Sequence, residues 1–308
     1  MTSFLVRRTI QSFVTLLVVS MMAFGLTHIT GNPVDAMLPA DADAAAAARV
    51  AAALGLDRPL HEQYGRFLGR AVRGDFGNSF HWRGRPAMPI VLERLPATLR
   101  LAGAALLFSV LVAVPIGVLS AVSKNSYFDR LGKTLALLGQ SLAPFWLGIM
   151  LIWVFGVGLR WFPVAGDGGG SVRHLVLPAI ALGWYQVAAI LRLTRSAMLD
   201  VLDSEFVKLC RMKGLRERKI IWVHALRNAV IVPLTYFGLI VGAVITRTVV
   251  IETVFGWPGT GNLVIQAVSA RDFPVINATL IVFASIFILV SLLVDLLYAV
   301  IDPRIRIQ

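Results

Sequence analysis

The sequence is poor in charged residues and holds a single cysteine. Asp, Glu, Lys and Arg make up 15% of its 308 residues, 57% are hydrophobic, and the mean hydropathy is +0.76. These values lie outside the range of soluble domains and favour a membrane protein. Because Cys210 is the only cysteine, an intrachain disulfide is excluded.

Several enzyme motifs are missing as well. The chain has no GxxxxGKS or GxxxxGKT stretch, which excludes ATP hydrolysis by a P-loop, and no HExxH stretch for zinc. Asp167 stands in an Ala-Gly-Asp-Gly setting loosely similar to intramembrane aspartyl proteases, but it falls in an outside loop beside Gly168, Gly169 and Gly170. The histidines show no ligand spacing, so no metal site is predicted at His28, His61, His81, His174 or His224.

Six stretches are long and apolar enough to cross a membrane. A hydrocarbon core of about 30 Å requires about 20 mainly apolar residues, since a helix rises about 1.5 Å per residue. The chain is therefore predicted to be an all-α membrane protein with six transmembrane helices. The predicted spans are Thr9–Thr30, Ala97–Val122, Leu131–Leu159, Leu175–Leu191, Ala229–Ile251 and Val275–Ile301. Kinks are predicted at Pro115, Pro144, Pro178 and Pro233.

Basic residues lie between these spans. The net charge is +12, but it is not concentrated beside groove-reading residues on a soluble face, so no nucleic-acid partner is predicted. With a cytoplasmic N-terminus, the inside segments carry sixteen Lys and Arg residues and the two short outside loops carry three. Residues 31–96 form a segment long enough to be translocated regardless of its charge. The positive-inside rule then places both termini in the cytoplasm.

The polar segment between the first two spans is too long for a bare loop. Its Ala-rich stretch from Asp41 to Leu54 and its amphipathic stretch from Leu60 to Val72 predict helices, with a flexible linker as the alternative. The chain is accordingly divided into an N-terminal tail and first helix, a small external helical subdomain, and a five-helix core that includes a cytoplasmic loop at 192–228. The boundaries are 1–30, 31–96 and 97–308.

The cytoplasmic loop predicts a helix, a turn and a second helix. Asp200, Asp203 and Ser204 offer N-cap chemistry for a short helix through Lys213, and Gly214 tolerates positive φ. The second helix is predicted from Arg216. Phe206, Leu209 and Cys210, with Lys213 one turn on, predict an apolar stripe bordered by charge. Such a helix suits a groove on a soluble partner, or else lies at the lipid headgroups.

This loop carries a resemblance to a known family. The stretch EFVKLCRMKGLRERKIIWVHALRNAVIVP, from Glu205 to Pro233, is similar to the coupling loop of ABC importer permeases of the dipeptide, oligopeptide, nickel and glutathione branch. Cys210 and Met212 depart from the alanines usual in that family. Four further regions also match in order: the first span with its Gly-Asn-Pro exit, LGLDRPLHEQYGRFLGRAVRGDFGNSF with ERLPATLRLA, ETVFGWPGTGNLVIQAVSARDFPVI, and DLLYAVIDPRIR.

The resemblance implies a type I permease fold in the bacterial inner membrane and a transport subunit without enzymatic activity. It also implies a second homologous permease, two ABC ATPases that bind ATP and Mg, and an extracytoplasmic binding protein. This chain itself is expected to bind no cofactor. The residues implied to contact an ATPase are Glu205, Phe206, Lys208, Leu209, Cys210, Arg211, Lys213 and Gly214.

Polar residues within the spans are candidates for the translocation pathway, because a central charge costs about 2.5 to 3.5 kcal/mol on insertion scales. Arg247 stands where related permeases usually have a small residue, and we expect it either to attract a substrate carboxylate or to snorkel outward. Gln140, Gln186 and Asn277 are either substrate contacts or polar links between helices.

The expected substrate is a peptide or peptide-like solute, with glutathione or a nickel chelate as alternatives. A free-standing ion-coupled carrier is the rival function, and the coupling loop argues against it. The sequence leaves open whether the pore is a heterodimer or a homodimer.

Overall fold

The computed structural model describes residues 2–29, 45, 49, 52 and 58–301, which are helical apart from turns and an isolated bridge between Asn78 and Pro86. In chain order the elements are α1 (Thr2–Ile29), α2 (Leu60–Ala71), α3 (Ala87–Val122), α4 (Tyr127–Ser141), α5 (Pro144–Leu151, continued as a π-helix over Ile152–Gly158), α6 (Val172–Leu202), α7 (Glu205–Met212), α8 (Glu217–Lys219, continued as a π-helix over Ile220–Ala225 and a helical turn over Leu226–Ala229), α9 (Ile231–Val254), α10 (Thr260–Ser269) and α11 (Phe273–Ile301). The predicted Ala-rich helix lies largely outside the described residues.

Within the described residues, α1, α3, α6, α9 and α11 are long and apolar enough to cross a membrane. A sixth span is obtained when α4 and α5 are counted together as one bent pair. The all-α membrane fold is therefore confirmed.

The third predicted span, Leu131–Leu159, is not one continuous helix. The axes of α4 and α5 meet at 106°, and Pro144 occupies the first position of α5. Proline lacks an N–H group and restricts the residue before it to extended backbone, as observed for Ala143 at φ −66° and ψ 133°. Pro144 therefore ends one helix and begins another, where a kink within a single helix was predicted.

Two helices are longer than predicted. α3 begins at Ala87 rather than Ala97, and its 36 residues extend over about 54 Å. α6 continues past Leu191 to Leu202, into the segment that was predicted to be loop. Each helix is longer than the hydrocarbon core requires, so one end of each reaches beyond it and packs against a polar part of the chain.

The contact between α3 and α6 is the most extensive between helices of the described chain. Ser109 of α3 donates its hydroxyl to the carbonyls of Ala105, at 2.7 Å, and of Gly183, at 2.9 Å. A Cβ atom at Gly183 would lie 2.6 Å from the Ala105 carbonyl oxygen. Glycine is therefore required at this position, and the two backbones approach closely, as membrane helices do at small residues.

α2 packs against the end of α1. The hydroxyls of Tyr64 and Ser20 lie 2.8 Å apart, and the Phe24 ring lies 5.5 Å from Tyr64 and 5.8 Å from Phe67. α1 itself packs against α11 at the edge of the bundle. The predicted amphipathic helix at Leu60–Val72 is thus present and covers part of the first span.

Buried acidic side chains join the polar segments to the bundle. Asp272 accepts a hydrogen bond from the Ser79 hydroxyl and another, at 3.0 Å, from the His81 amide. Glu252 accepts one from the Asn262 amide at 3.0 Å, and the Trp257 indole donates to the Ala97 carbonyl at 3.0 Å. The loop that follows α2 is therefore fixed to the start of α11, and the loop that follows α9 is fixed to α3 by the Trp257 indole.

Asp129 of α4 is fully buried and holds three helices together. Its carboxylate lies 2.7 Å from Nε of Arg195 on α6 and 2.9 Å from Nζ of Lys133. It also accepts hydrogen bonds from the Ser120 hydroxyl of α3, at 2.7 Å, and from the Asn125 amide, at 3.0 Å. Every acceptor position of this carboxylate is used, so its burial is compensated.

Asp129→Asn is expected to lower stability by about 3 to 5 kcal/mol, because it leaves the Arg195 guanidinium largely buried without a carboxylate. The measurement is the melting temperature of the protein purified in mild detergent. Glu93→Gln is the matched control, since it breaks an exposed pair with Arg85 worth less than about 1 kcal/mol. Equal melting temperatures for the two variants would contradict the role assigned to Asp129.

Candidate functional site

The first candidate site is α7, which lies between two turns. α6 ends at Leu202, and Ser204 takes the N-cap position of α7 in extended conformation. Its hydroxyl donates to the Val201 carbonyl at 2.6 Å and does not cap α7. Of the three predicted capping residues, only Ser204 is therefore at the cap, since Asp200 lies within α6 and Asp203 ends it.

The turn after α7 is formed by a left-handed glycine, as predicted. Gly214 has φ +73°, and its amide donates to the Arg211 carbonyl at 2.9 Å. The Leu215 amide donates to the Cys210 carbonyl at 3.3 Å, which closes the end of the helix. Arg216 then caps α8, so the predicted helix, turn and helix are all present.

α7 has a buried face and an exposed face. Val207 and Cys210 are buried in a cluster with Met198 of α6 and Ile220 of α8. The exposed face carries three large apolar side chains, Phe206 at 45%, Leu209 at 48% and Met212 at 77%. The predicted stripe mixed these two faces. Cys210 belongs to the packed side, while Met212, which was not predicted, extends the exposed one.

Charged groups border this exposed face. Lys208 lies 2.7 Å from Glu205, and Nε of Arg211 lies 2.8 Å from Glu217. The hydrogen bond to Glu217 raises the pKa of Arg211 above its ordinary value, so this guanidinium stays charged. An exposed apolar centre with a charged border is the surface expected of a helix that enters a groove on another protein.

The second candidate site is a cavity of about 400 Å³ between α5, α6 and α9. Two of the predicted pathway residues, Arg247 and Gln186, line it. The guanidinium of Arg247 lies 5.2 Å from the centre of the Tyr185 ring, within range of a cation–π contact. The Tyr236 hydroxyl donates to Oε1 of Gln186 at 3.4 Å.

The other two predicted pathway residues lie elsewhere. Gln140 is exposed near the end of α4 and accepts a hydrogen bond from Arg192 at 2.8 Å.

Asn277 lies on α11 next to Val275 and Ala278, which pack against α3 and α10. Its Oδ1 is buried and has no hydrogen-bond partner among the described residues. The structure therefore brings together only Arg247 and Gln186, and the pathway role of all four residues stays a prediction.

Some residues that form this cavity have no recognisable signal in the sequence. Tyr185 has no motif of its own, and its position over Arg247 depends on the contact between α6 and α9. Pro144 was recognised as a point of interruption, but the cavity that forms at the start of α5 was not. In the described part of the chain, no group of three or more His, Cys, Asp or Glu side chains is arranged to hold a metal ion.

Comparison with known sequences gives two family matches. Residues 113–307 match the model described as binding-protein-dependent transport system inner membrane component, and residues 1–102 match the corresponding N-terminal model. The chain is 39% identical over 307 residues to the glutathione transport system permease protein GsiC of Salmonella paratyphi A, covering 99% of each chain. It is 40% identical over 336 residues to the di/tripeptide transport system permease protein DppB of Pseudomonas aeruginosa, covering 100% of each. It is also 36% identical to the dipeptide permease DppB of Alkalihalophilus pseudofirmus, covering 99% of this chain and 100% of that one.

Solved structures share the fold. A chain of the MetNI methionine ABC transporter in inward-facing conformations aligns with a TM-score of 0.59 at 16% identity, covering 70% of this chain and 97% of that one. A chain of an amino acid ABC transporter aligns with a TM-score of 0.51, also at 16% identity, and covers 70% and 94%.

The two faces of α7 predict different thiol reactivity. Native Cys210 is expected to react slowly with N-ethylmaleimide in mild detergent, because it is only 7% exposed. Met212→Cys, introduced into a Cys210→Ala background, is expected to react rapidly, because Met212 is 77% exposed. Mass spectrometry of timed samples measures both rates, and denatured samples serve as the control for intrinsic reactivity. Fast labelling of Cys210 in the folded protein would contradict the assignment of the faces.

Proposed function

The chain belongs to the family of binding-protein-dependent transport system inner membrane components, and we propose that it forms half of the translocation pathway of an ATP-driven importer of peptides or peptide-like solutes. The names of the similar permeases, which specify dipeptides, di/tripeptides and glutathione, support this class of substrate. Glutathione is the second candidate, since the relative named for it matches over the same length.

The exposed face of α7 is the observation that supports an ATP-driven mechanism. Phe206, Leu209 and Met212 present apolar area of a kind that a protein partner buries. The partner proposed is the ATPase subunit of the importer, which binds ATP and Mg and receives α7 in a surface groove. The coupling residues are then Glu205, Phe206, Lys208, Leu209, Arg211, Lys213 and Gly214, with Cys210 supporting them from the buried face.

The orientation proposed places α7 and both termini in the cytoplasm. The segment from Arg192 to Arg227 carries nine Lys and Arg residues, as expected of the side that the positive-inside rule assigns to the cytoplasm. The start of α3, α2 and the loops after α5 and α9 then face outward, where a substrate-binding protein delivers its ligand. A second permease is proposed to complete the pathway beside the cavity that Arg247 lines.

Leu209→Glu is expected to abolish recovery of the ATPase and ATP-dependent uptake, because it places a charge in the centre of the proposed contact. The side chain is 48% exposed, so the substitution leaves the packing of α7 intact. The measurements are mass spectrometry of the proteins that co-purify in mild detergent and uptake of labelled Ala-Ala and glutathione into proteoliposomes.

Leu60→Glu is the matched control, because Leu60 is 62% exposed on α2, away from α7. It is expected to retain both the ATPase and uptake. A wild type that transports without any co-purifying ATPase would instead favour an ion-coupled carrier. Retention of the ATPase by Leu209→Glu would remove α7 as the contact.

A further inference from the structure

Arg247 is a charged side chain within a membrane helix and has no charged partner in the described part of the chain. No ion pair and no hydrogen bond of its guanidinium occurs there, although this group carries five N–H donors. Its contact is with the face of Tyr185, at 5.2 Å. Arg247 is exposed in the single chain, and an arginine in a membrane span is costly unless it faces water, a ligand or a partner, so its open donors indicate a water-filled or ligand-binding cavity.

The contact with Tyr185 fixes the position of the Arg247 guanidinium. Arg247 lies seven residues before the end of α9 at Val254, about 10 Å along the helix. Its guanidinium lies against Tyr185, which is thirteen residues, or about 20 Å, from the Val172 end of α6. The charge is therefore held against a neighbouring helix and away from both helix ends.

A second open donor lines the same cavity. Gln186 is only 2% exposed, and its Oε1 accepts the hydrogen bond from Tyr236. No described residue accepts a hydrogen bond from the Gln186 amide nitrogen. This nitrogen therefore has donor capacity available to a ligand in the cavity that Gln186 lines.

The start of α5 adds a partial positive charge to the same cavity. Pro144 and Phe145 line the cavity and form the first two positions of that helix. Ala143 provides no side-chain cap, and the first amide of the helix to bond backward is that of Leu147, which donates to the Ala143 carbonyl at 3.1 Å. A helix start of this kind, at a break within a membrane span, favours negative charge.

We infer that this cavity is a carboxylate site of the translocation pathway, in which Arg247, the Gln186 amide and the start of α5 bind the C-terminal carboxylate of a peptide. This inference rests on the proposed function. The described cavity lining contains no Asp or Glu, and Leu182, Val250 and Ile251 provide apolar surface for a substrate side chain. A volume of about 400 Å³ is within the range of small-molecule sites.

The test compares a peptide acid with its amide. The transporter with its partner subunits and binding protein is reconstituted in proteoliposomes, and ATP-dependent uptake of labelled Ala-Ala is measured against Ala-Ala amide at saturating binding protein. If wild type imports glutathione instead, its diethyl ester replaces the amide. Arg247→Gln is expected to reduce the uptake rate of the acid about tenfold and that of the blocked compound less than about twofold, because a charge-assisted hydrogen bond is lost only for the acid.

Arg66→Gln is the matched control, since Arg66 is exposed on α2 and outside the cavity. It is expected to keep the wild-type ratio of acid to blocked uptake. Basal ATPase activity of each variant reports assembly of the complex. A wild-type ratio in Arg247→Gln, or an equal loss for both compounds, overturns the carboxylate site. Absence of any ATP-dependent uptake by wild type overturns the proposed function instead.

Discussion

The close contact between α3 and α6 is the constraint on which the other features depend. Lipid offers no hydrogen bonds, and apolar side chains gain little by leaving it, so membrane helices associate where small residues allow their backbones to approach. Ser109 and Gly183 provide such a position, and the Ser109 hydroxyl bonds to the facing backbone. Because α6 is fixed in this way, its middle and its C-terminal end are both held in defined positions.

α6 connects the two candidate sites directly. Gln186 in its middle lines the cavity, and Met198 near its end packs against Val207 of α7. The distance along the helix from Gln186 to Leu202 is about 24 Å, without a proline between them. If α7 binds an ATPase as proposed, its movement would reach the cavity through one continuous helix, without a long chain of side-chain contacts.

Much of this fold could be predicted because its signals are local in the sequence. Long apolar stretches identified the spans, and Gly214 identified the turn after α7 because a left-handed backbone conformation favours glycine. Contacts between distant segments had no such signal. The pairing of Asp129 with Arg195 joins residues 66 positions apart, and the stacking of Arg247 on Tyr185 depends on the placement of two helices.

The assignment of Cys210 to the exposed stripe of α7 failed because apolar residues occupy both faces of that short helix, and only the packing of α6 and α8 distinguishes them.

The break between α4 and α5 places two sides of the cavity on different structural units. One side is formed by α6, which is held to α4, and the other by the start of α5. α4 is held to α6 near its start by Asp129 and Arg195, and near its end by Gln140 and Arg192. These two connections make α4 and α6 a single unit.

α5 leaves that unit at 106° immediately after Ala143, and its first residues line the cavity. A change in the angle at this break would move the start of α5 relative to Gln186 while leaving the α4–α6 unit intact. The start of α5 and the middle of α6 both line the cavity, and the backbone hydrogen-bond ladder is already interrupted between α5 and the α4–α6 unit. A change in cavity shape at this break therefore requires no further helical hydrogen bond to be broken.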